Sequence, residues 1–240
     1  MASEHNPIAQ LVNQIQKKWI DQVSSFPELK LVRWLIKPEE ARLYEGFLRL
    51  ESTEHGSIPE VLVTMLTPFK SEEAFSFELV NDWIKAYEED KKTQEKLAAK
   101  GIAKSWNYQA FTALPSFENE NNSNPLLKML SSFHTEMISK DLRLVVALFP
   151  HSIHDFDGFN KWLISLLKIE IPFEFTFMIF DHQGENYFDR VFEKYPTITK
   201  SLHVNLDLNG AISKIAKMGN PNSPEVKLRE CILEMGQAVQ

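Results

Sequence analysis

The chain has 240 residues, enough for one large core or two modest ones, and its 43% hydrophobic and 25% charged residues are ordinary for a globular protein. A formal net charge of -7, with no run of Lys or Arg longer than two, speaks against attraction to nucleic acid or anionic lipid, both of which need a concentrated positive field. No apolar stretch approaches the roughly 20 residues of a membrane helix, and the opening MASEHNPIAQLVNQ lacks the basic start and apolar run of a secretory signal, so the expectation is a soluble, cytoplasmic chain.

Pro7 to Ser25 places Ile8, Leu11, Val12, Ile15, Trp19 and Val23 at spacings of three and four, which predicts an amphipathic helix with Asn6 as its cap and Pro7 in its first position. Leu29 to Ile36 (LKLVRWLI) reads as a strand, and Pro38-Glu39-Glu40 opens a helix through Tyr44, Phe47, Leu48 and Glu51. A second strand, Glu60 to Thr67, is closed by Pro68. The helix after it starts at Ser71 and carries a stripe of Phe75, Val80, Trp83, Ile84 and Tyr87. From Glu88 to Lys96 that helix is charged all round, the pattern of a solvated face, and Lys100-Gly101 marks its end.

Ile102 to Phe117 is irregular, the polar tract Glu118 to Asn124 reads as a flexible loop, and Pro125 to Ile138 forms a further helix capped by Asn124. Leu142 to Phe149 is a run of branched and aromatic residues, the signature of a strand buried on both faces. A helix with Phe159, Trp162, Leu163, Leu166 and Leu167 follows. Then come a strand over Phe173 to Asp181, a short helix near Tyr187 to Tyr195, a strand over Leu202 to Asp207, and helices over Asn209 to Met218 and Ser223 to Ala238. The last contains the single cysteine, Cys231, with Leu228, Ile232 and Met235 at helical spacing, which predicts a small buried hydrophobe.

Five strand candidates separated by helical patterns, with no tight hairpin signal between neighbours, require helical crossovers. The expected fold is a three-layer α/β, doubly wound domain: a mostly parallel five-stranded sheet with helices on both faces. It spans residues 1–240, with a helical and loop excursion over about 71–140.

Chemistry concentrates in two turns after strands. His151, His154, Asp155 and Asp157 lie within seven residues after the strand that ends at Phe149, and Asp181-His182-Gln183-Gly184-Glu185 follows the next strand. Two imidazoles and several carboxylates outside the carboxyl ends of strands suit a divalent metal or a general acid and base, so His151, His154, Asp155, Asp181 and His182 form a candidate metal-assisted hydrolase site. The competing reading makes Asp155 or Asp157 the cap of the following helix and the histidines half-exposed turn residues. Trp106, Tyr108, Phe111 and Phe117 crowd one irregular segment, either as a docking surface for a partner protein or as a flap folded onto the chain's own core. No G-x-S-x-G elbow is present, and the 8 glycines form neither G-x-G-x-x-G nor a phosphate loop, so no cofactor is expected.

The order of elements resembles the core of P-loop NTPases, particularly their AAA-like and STAND-like branches. In that comparison Leu29 to Ile36 takes the place of the phosphate-loop strand, and it leads into Lys37-Pro38-Glu39-Glu40, with no glycine and two acids where phosphates would lie. Leu144 to Pro150 takes the place of the Walker B strand but ends in Leu148-Phe149-Pro150, and Asp181 stands where a polar sensor would. The resemblance implies a degenerate domain without nucleotide hydrolysis. Together with the missing nucleophile it leads to the expectation of a non-catalytic adaptor or scaffold that binds protein partners in a larger assembly, the metal-assisted hydrolase being the alternative.

Overall fold

A computed structural model describes residues 6–98, 105–112, 124–219, 223–229 and 231, with the backbone alone over 91–98. Strands Leu31–Ile36 (β1), Val61–Met65 (β2), Leu144–Leu148 (β3), Phe175–His182 (β4) and Thr199–Leu202 (β5) form one sheet in the order β2-β3-β4-β1-β5. Every pairing is parallel, with Leu31 opposite Phe177 and Thr199, and Leu144 opposite Val61 and Phe175.

Alternation along the strands divides the core in two. Leu144, Val146, Leu148, Phe175, Phe177 and Ile179 face one layer, while Val145, Ala147, Met178, Val32 and Trp34 face the other. The second layer holds Pro7–Trp19 (α1), Ala41–Glu51 (α2) and Leu208–Ala216 (α8); the first holds Glu72–Ala98 (α3), Pro125–Met137 (α5), Phe156–Lys168 (α6) and Asp189–Lys194 (α7), with the short Gln109–Thr112 (α4) lying against α3. This is the expected three-layer, doubly wound arrangement. β1 leads into α2 on one face, whereas its neighbour β4 leads into α7 on the other. Among the five strands the chain departs to opposite faces from adjacent strands at this one place, between the carboxyl ends of β1 and β4.

The sequence signals act locally as expected. Asn6 Oδ1 accepts the Ile8 N–H and Asn124 Oδ1 accepts the Leu126 N–H, each before a proline that begins its helix. α1 ends at Trp19 and continues as a π-helical turn, Ile20–Ser24. The widened turn carries Val23 into full burial, and Ser24 Oγ donates to the buried Glu60. The whole predicted stripe of α3 is buried, and Phe75 lies within 4.8–5.6 Å, ring centre to ring centre, of Phe69, Phe159 and Trp162.

Two expectations are corrected. The last strand is Thr199–Leu202, ahead of the predicted Leu202 to Asp207. Pairing with Leu31 to Trp34 selects the polar stretch TKSL, since an edge strand needs its inward residues apolar only where they meet the core; Asp207 instead caps α8 by accepting the Gly210 N–H. Cys231 is exposed and not a buried hydrophobe, because residues 224–229 turn Val226 inward and leave Leu228 61% exposed. The predicted helix end at Lys100-Gly101, residues 118–123 of the predicted loop, Phe117, and residues 230 and 232–238 of the predicted last helix, Ile232 and Met235 among them, lie outside the described residues.

Phe75→Ala is expected to cost about 3–5 kcal/mol, the range for truncating a fully buried aromatic, read as a lowered urea midpoint with an unchanged slope.

Candidate functional site

The carboxyl end of the sheet is shaped by a buried charge. Arg33 sits in the middle of β1, its side chain 6% exposed, and spreads its guanidinium over three partners: Nη1 donates to Asp181 Oδ2 at 2.9 Å and Asp189 Oδ1 at 2.7 Å, and Nε donates to Ser201 Oγ at 3.1 Å. The guanidinium carbon lies 4.4 Å from the centre of the Phe192 ring. The Asp181 side chain is fully buried, and its oxygens also accept the N–H groups of Tyr187 and Phe188, each at 3.3 Å. The turn between them reverses through Gly184 at φ 91° and Asn186 at φ 51°, left-handed positions suited to glycine and asparagine. Asp181 therefore ties β4 to β1 and to the start of α7, and each of its oxygens is already engaged.

The turn after β3 is held from the other side. His151 N–H donates to Leu66 O, Phe69 N–H donates to Ser152 O, and Phe69 and Ile153 form an isolated parallel bridge, so the loops after β2 and β3 run together. Between this turn and the β4–α7 turn lies a cavity of about 260 Å³. Ile36 and Ala41 border it from β1 and α2, Phe149, His151 and Ile153 from the β3 turn, Phe156 from α6, and Phe180, Asp181, His182 and Tyr187 from β4 and beyond. It opens at the switch point between β1 and β4.

The predicted site residues separate into two groups. His151, Asp181 and His182 border one cavity, so the two turns do converge. His154 and Asp155 do not line it; His154 is exposed, and Asp155 caps α6, its Oδ1 accepting the Gly158 N–H at 2.9 Å. Among the described residues no group of three His, Cys, Asp or Glu side chains is placed to hold a metal ion. Nδ1 of His182 is buried with no hydrogen-bond partner among the described residues.

The turn after β1 is closed upon itself. Glu40, 1% exposed, accepts the Lys37 N–H through Oε2 at 3.0 Å, the Glu40 N–H donates to Lys37 O, and Pro38 has no N–H to offer. Beside it, burial first and the Glu40 carboxylate second hold the Tyr44 hydroxyl well above the usual phenol range. That hydroxyl has no hydrogen-bond partner among the described residues, and its ring packs edge-on against Phe180, 5.9 Å between centres.

The aromatic segment packs inward. Trp106 is 3% exposed, its backbone N–H donates to Tyr87 Oη, its indole N–H donates to Ser132 Oγ, and its ring meets Tyr87 and Phe133 edge-on. Tyr108 and Phe111 lean half-buried on the same wall. The described part of this segment is thus a flap folded onto α3 and α5. Sequence reasoning missed Arg33 and Asp189, although an arginine inside the apolar run LVRWLI is a signal that a buried carboxylate waits nearby. No family model, curated protein or solved structure matches the chain.

Arg33→Met is expected to cost about 3–5 kcal/mol by leaving Asp181 charged and unpaired. Adding Asp181→Asn should recover part of this, because the amide oxygen still accepts from Tyr187 and Phe188 without a charge; urea denaturation of the single and double variants measures both. A second expectation concerns alkaline pH. A phenol whose folded pKa is raised gives stability that is complete below its unfolded value of about 10 and is lost as pH rises above it. Tyr44→Phe should lessen that alkaline decline by up to one proton per molecule while leaving stability at neutral pH intact, read from unfolding free energies between about pH 9 and 11.

Proposed function

We propose that this chain is a non-catalytic adaptor or scaffold, built on an NTPase-like core that no longer handles nucleotide, and that it works by binding protein partners. The observation that carries the reading is the closed turn after β1. A phosphate site at this position needs free backbone N–H groups and no nearby negative charge. Here the Lys37 N–H is spent on Glu40, Pro38 has none, the Glu40 N–H is spent on Lys37, and two carboxylates occupy the turn.

The likeness to the NTPase core draws support from adjacency. The strands that take the phosphate-loop, Walker B and sensor places are β1, β3 and β4; β4 lies between the other two, and the ends of all three border one cavity. Arg33 and two backbone N–H groups engage both oxygens of Asp181, whose side chain is fully buried, which disfavours a role toward a magnesium ion.

Partner binding draws support from the opposite end of the sheet. Phe26, Leu142 and Phe173 are 39%, 39% and 64% exposed at the chain entries to β1, β3 and β4. Lys30 Nζ bridges Pro27 O and Pro172 O, and Arg143 donates to Phe26 O, which ties the chain segments that carry these side chains together. Large apolar side chains grouped on a surface favour protein contact. The hydrolase alternative has less behind it, since only His151, Asp181 and His182 of its five residues border the cavity.

Millimolar ATP or GTP with magnesium is expected to leave the melting temperature unchanged, because a ligand that does not bind the folded state cannot stabilise it. Affinity capture from the source cells is expected to return a partner in near-stoichiometric amount, lost with Phe173→Glu. A nucleotide-dependent rise of several degrees, or a monomer that captures nothing, overturns the proposal.

A further inference from the structure

The two edges of the sheet are finished differently. β5 is four residues long and carries Lys200, and both shortness and a lysine blunt an edge against further pairing. β2 has neither device in the same measure: no residue from Val61 to Phe69 is charged, and the strand itself, VLVTM, holds no proline. We propose that β2 pairs antiparallel with β2 of a second copy of this chain, about a two-fold axis at Thr64, and so joins two five-stranded sheets into one. This surface is separate from Phe173 and its neighbours, and the inference does not rest on the scaffold reading.

Strand geometry decides which backbone groups are left over. The Val61 N–H donates to Arg143 O and Met65 O accepts the Phe149 N–H, so Val61, Val63 and Met65 turn their backbone groups toward β3. Leu62 and Thr64 therefore turn theirs away from the sheet, where they take no hydrogen-bond partner among the described residues. An outward N–H and C=O on one residue complement themselves. Antiparallel Thr64 residues from two copies exchange two hydrogen bonds across the axis, and the same register sets Leu62 opposite Leu66 of the other copy.

The side chains select a second copy over a foreign strand. Thr64 and Leu66 border a crevice of about 270 Å³ that α2 leaves against this edge, with Leu48 and Phe149 as further apolar walls. Leu66 stands 44% exposed at its rim. An axis normal to the sheet keeps both α2 helices on one face and brings each Leu66 beside Leu62 and Thr64 of the other copy, at the mouth of the other crevice. Knob and hollow thus lie on one surface, as an isologous interface requires. Charge agrees with shape. Glu45 and Arg49 border the same crevice, 2.9 Å apart and largely exposed, and the axis reverses α2, so Glu45 of one copy lies toward Arg49 of the other. A foreign strand could take the same backbone hydrogen bonds, but it would have to supply its own leucine and its own order of charges.

The test is sedimentation equilibrium of the full chain from low micromolar to submillimolar concentration, with amide exchange followed by NMR over the same range. A reversible rise to twice the chain mass is expected, and exchange of the Thr64 amide should slow as the dimer fills while that of Val63, already bonded to β3, stays protected throughout. Thr64→Pro removes the central outward N–H, which a solitary edge tolerates, and should raise the dimer dissociation constant at least about tenfold. Leu66→Lys places a charge on an exposed position of the edge and should do the same with the melting temperature of the monomer unchanged, so it decides the matter if Thr64→Pro disturbs the fold. A single-chain mass over the whole range, a dimer that leaves Thr64 exchange independent of concentration, or a dimer undiminished by Leu66→Lys overturns the proposal. Protection of Thr64 that appears only when another protein is added assigns the edge to a different partner and overturns it as well.

Discussion

The Arg33–Asp181 ion pair is the constraint on which the carboxyl end of this molecule depends. Both side chains lie in the layer between the sheet and α7, where an isolated charge would be expelled by its lost hydration. The pair is tolerated because almost every hydrogen-bonding position is filled: Ser201 from β5, Asp189 from α7 and the Tyr187 and Phe188 N–H groups complete it. Its net worth against a well-packed apolar pair is small, but it discriminates sharply between registers. Sliding β4 by one residue against β1 would turn Asp181 to the other face and strand Arg33 among Phe192 and Ile179.

A second buried pair does the same at the opposite end. Glu60, beside the start of β2, accepts from Arg143 Nη2 at 2.6 Å, from the Trp19 indole and from Ser24 Oγ. It thereby ties the edge of the sheet to α1 and its π-helical turn. Between the two clamps the interior of the sheet is almost wholly apolar and sets stability without setting register. The polar groups at both ends supply the register that a set of interchangeable Val, Leu and Phe side chains leaves open.

This division explains what was legible in the chain. β3 and β4 announce themselves because burial on both faces demands unbroken apolar runs, and the caps at Asn6, Asn124 and Asp155 are visible because they are set by three or four residues of local chemistry. β5 was misplaced because an edge strand takes its hydrogen bonds from β1, a partner more than 160 residues away, and needs little apolar sequence of its own. Cys231 misled because helical spacing with Leu228 suggests a buried stripe, whereas burial is decided by tertiary contacts absent from local sequence and both residues are exposed. The candidate site was half legible for the same reason. That His151, Asp181 and His182 meet follows from parallel strands alone, whereas the engagement of Asp181 by Arg33 requires knowing that β4 lies next to β1.

Neighbourhood in the sheet also separates the place of a site from its chemistry. A doubly wound topology makes a crevice wherever the chain leaves adjacent strands toward opposite faces, whatever side chains are there. The chemistry depends on which polar groups remain unspent once the fold is assembled. Here the turn after β1 consumes its own donors through Glu40 and Pro38, and Asp181 is consumed by Arg33 and the β4–α7 turn. The crevice persists with a mainly apolar and aromatic lining. A surface so depleted of charge selects against phosphate by the same desolvation cost that protects the ion pair beneath it. Opening it to an anion would take more than one substitution, since a free donor gained by replacing Pro38 would still face the carboxylates of Glu39 and Glu40.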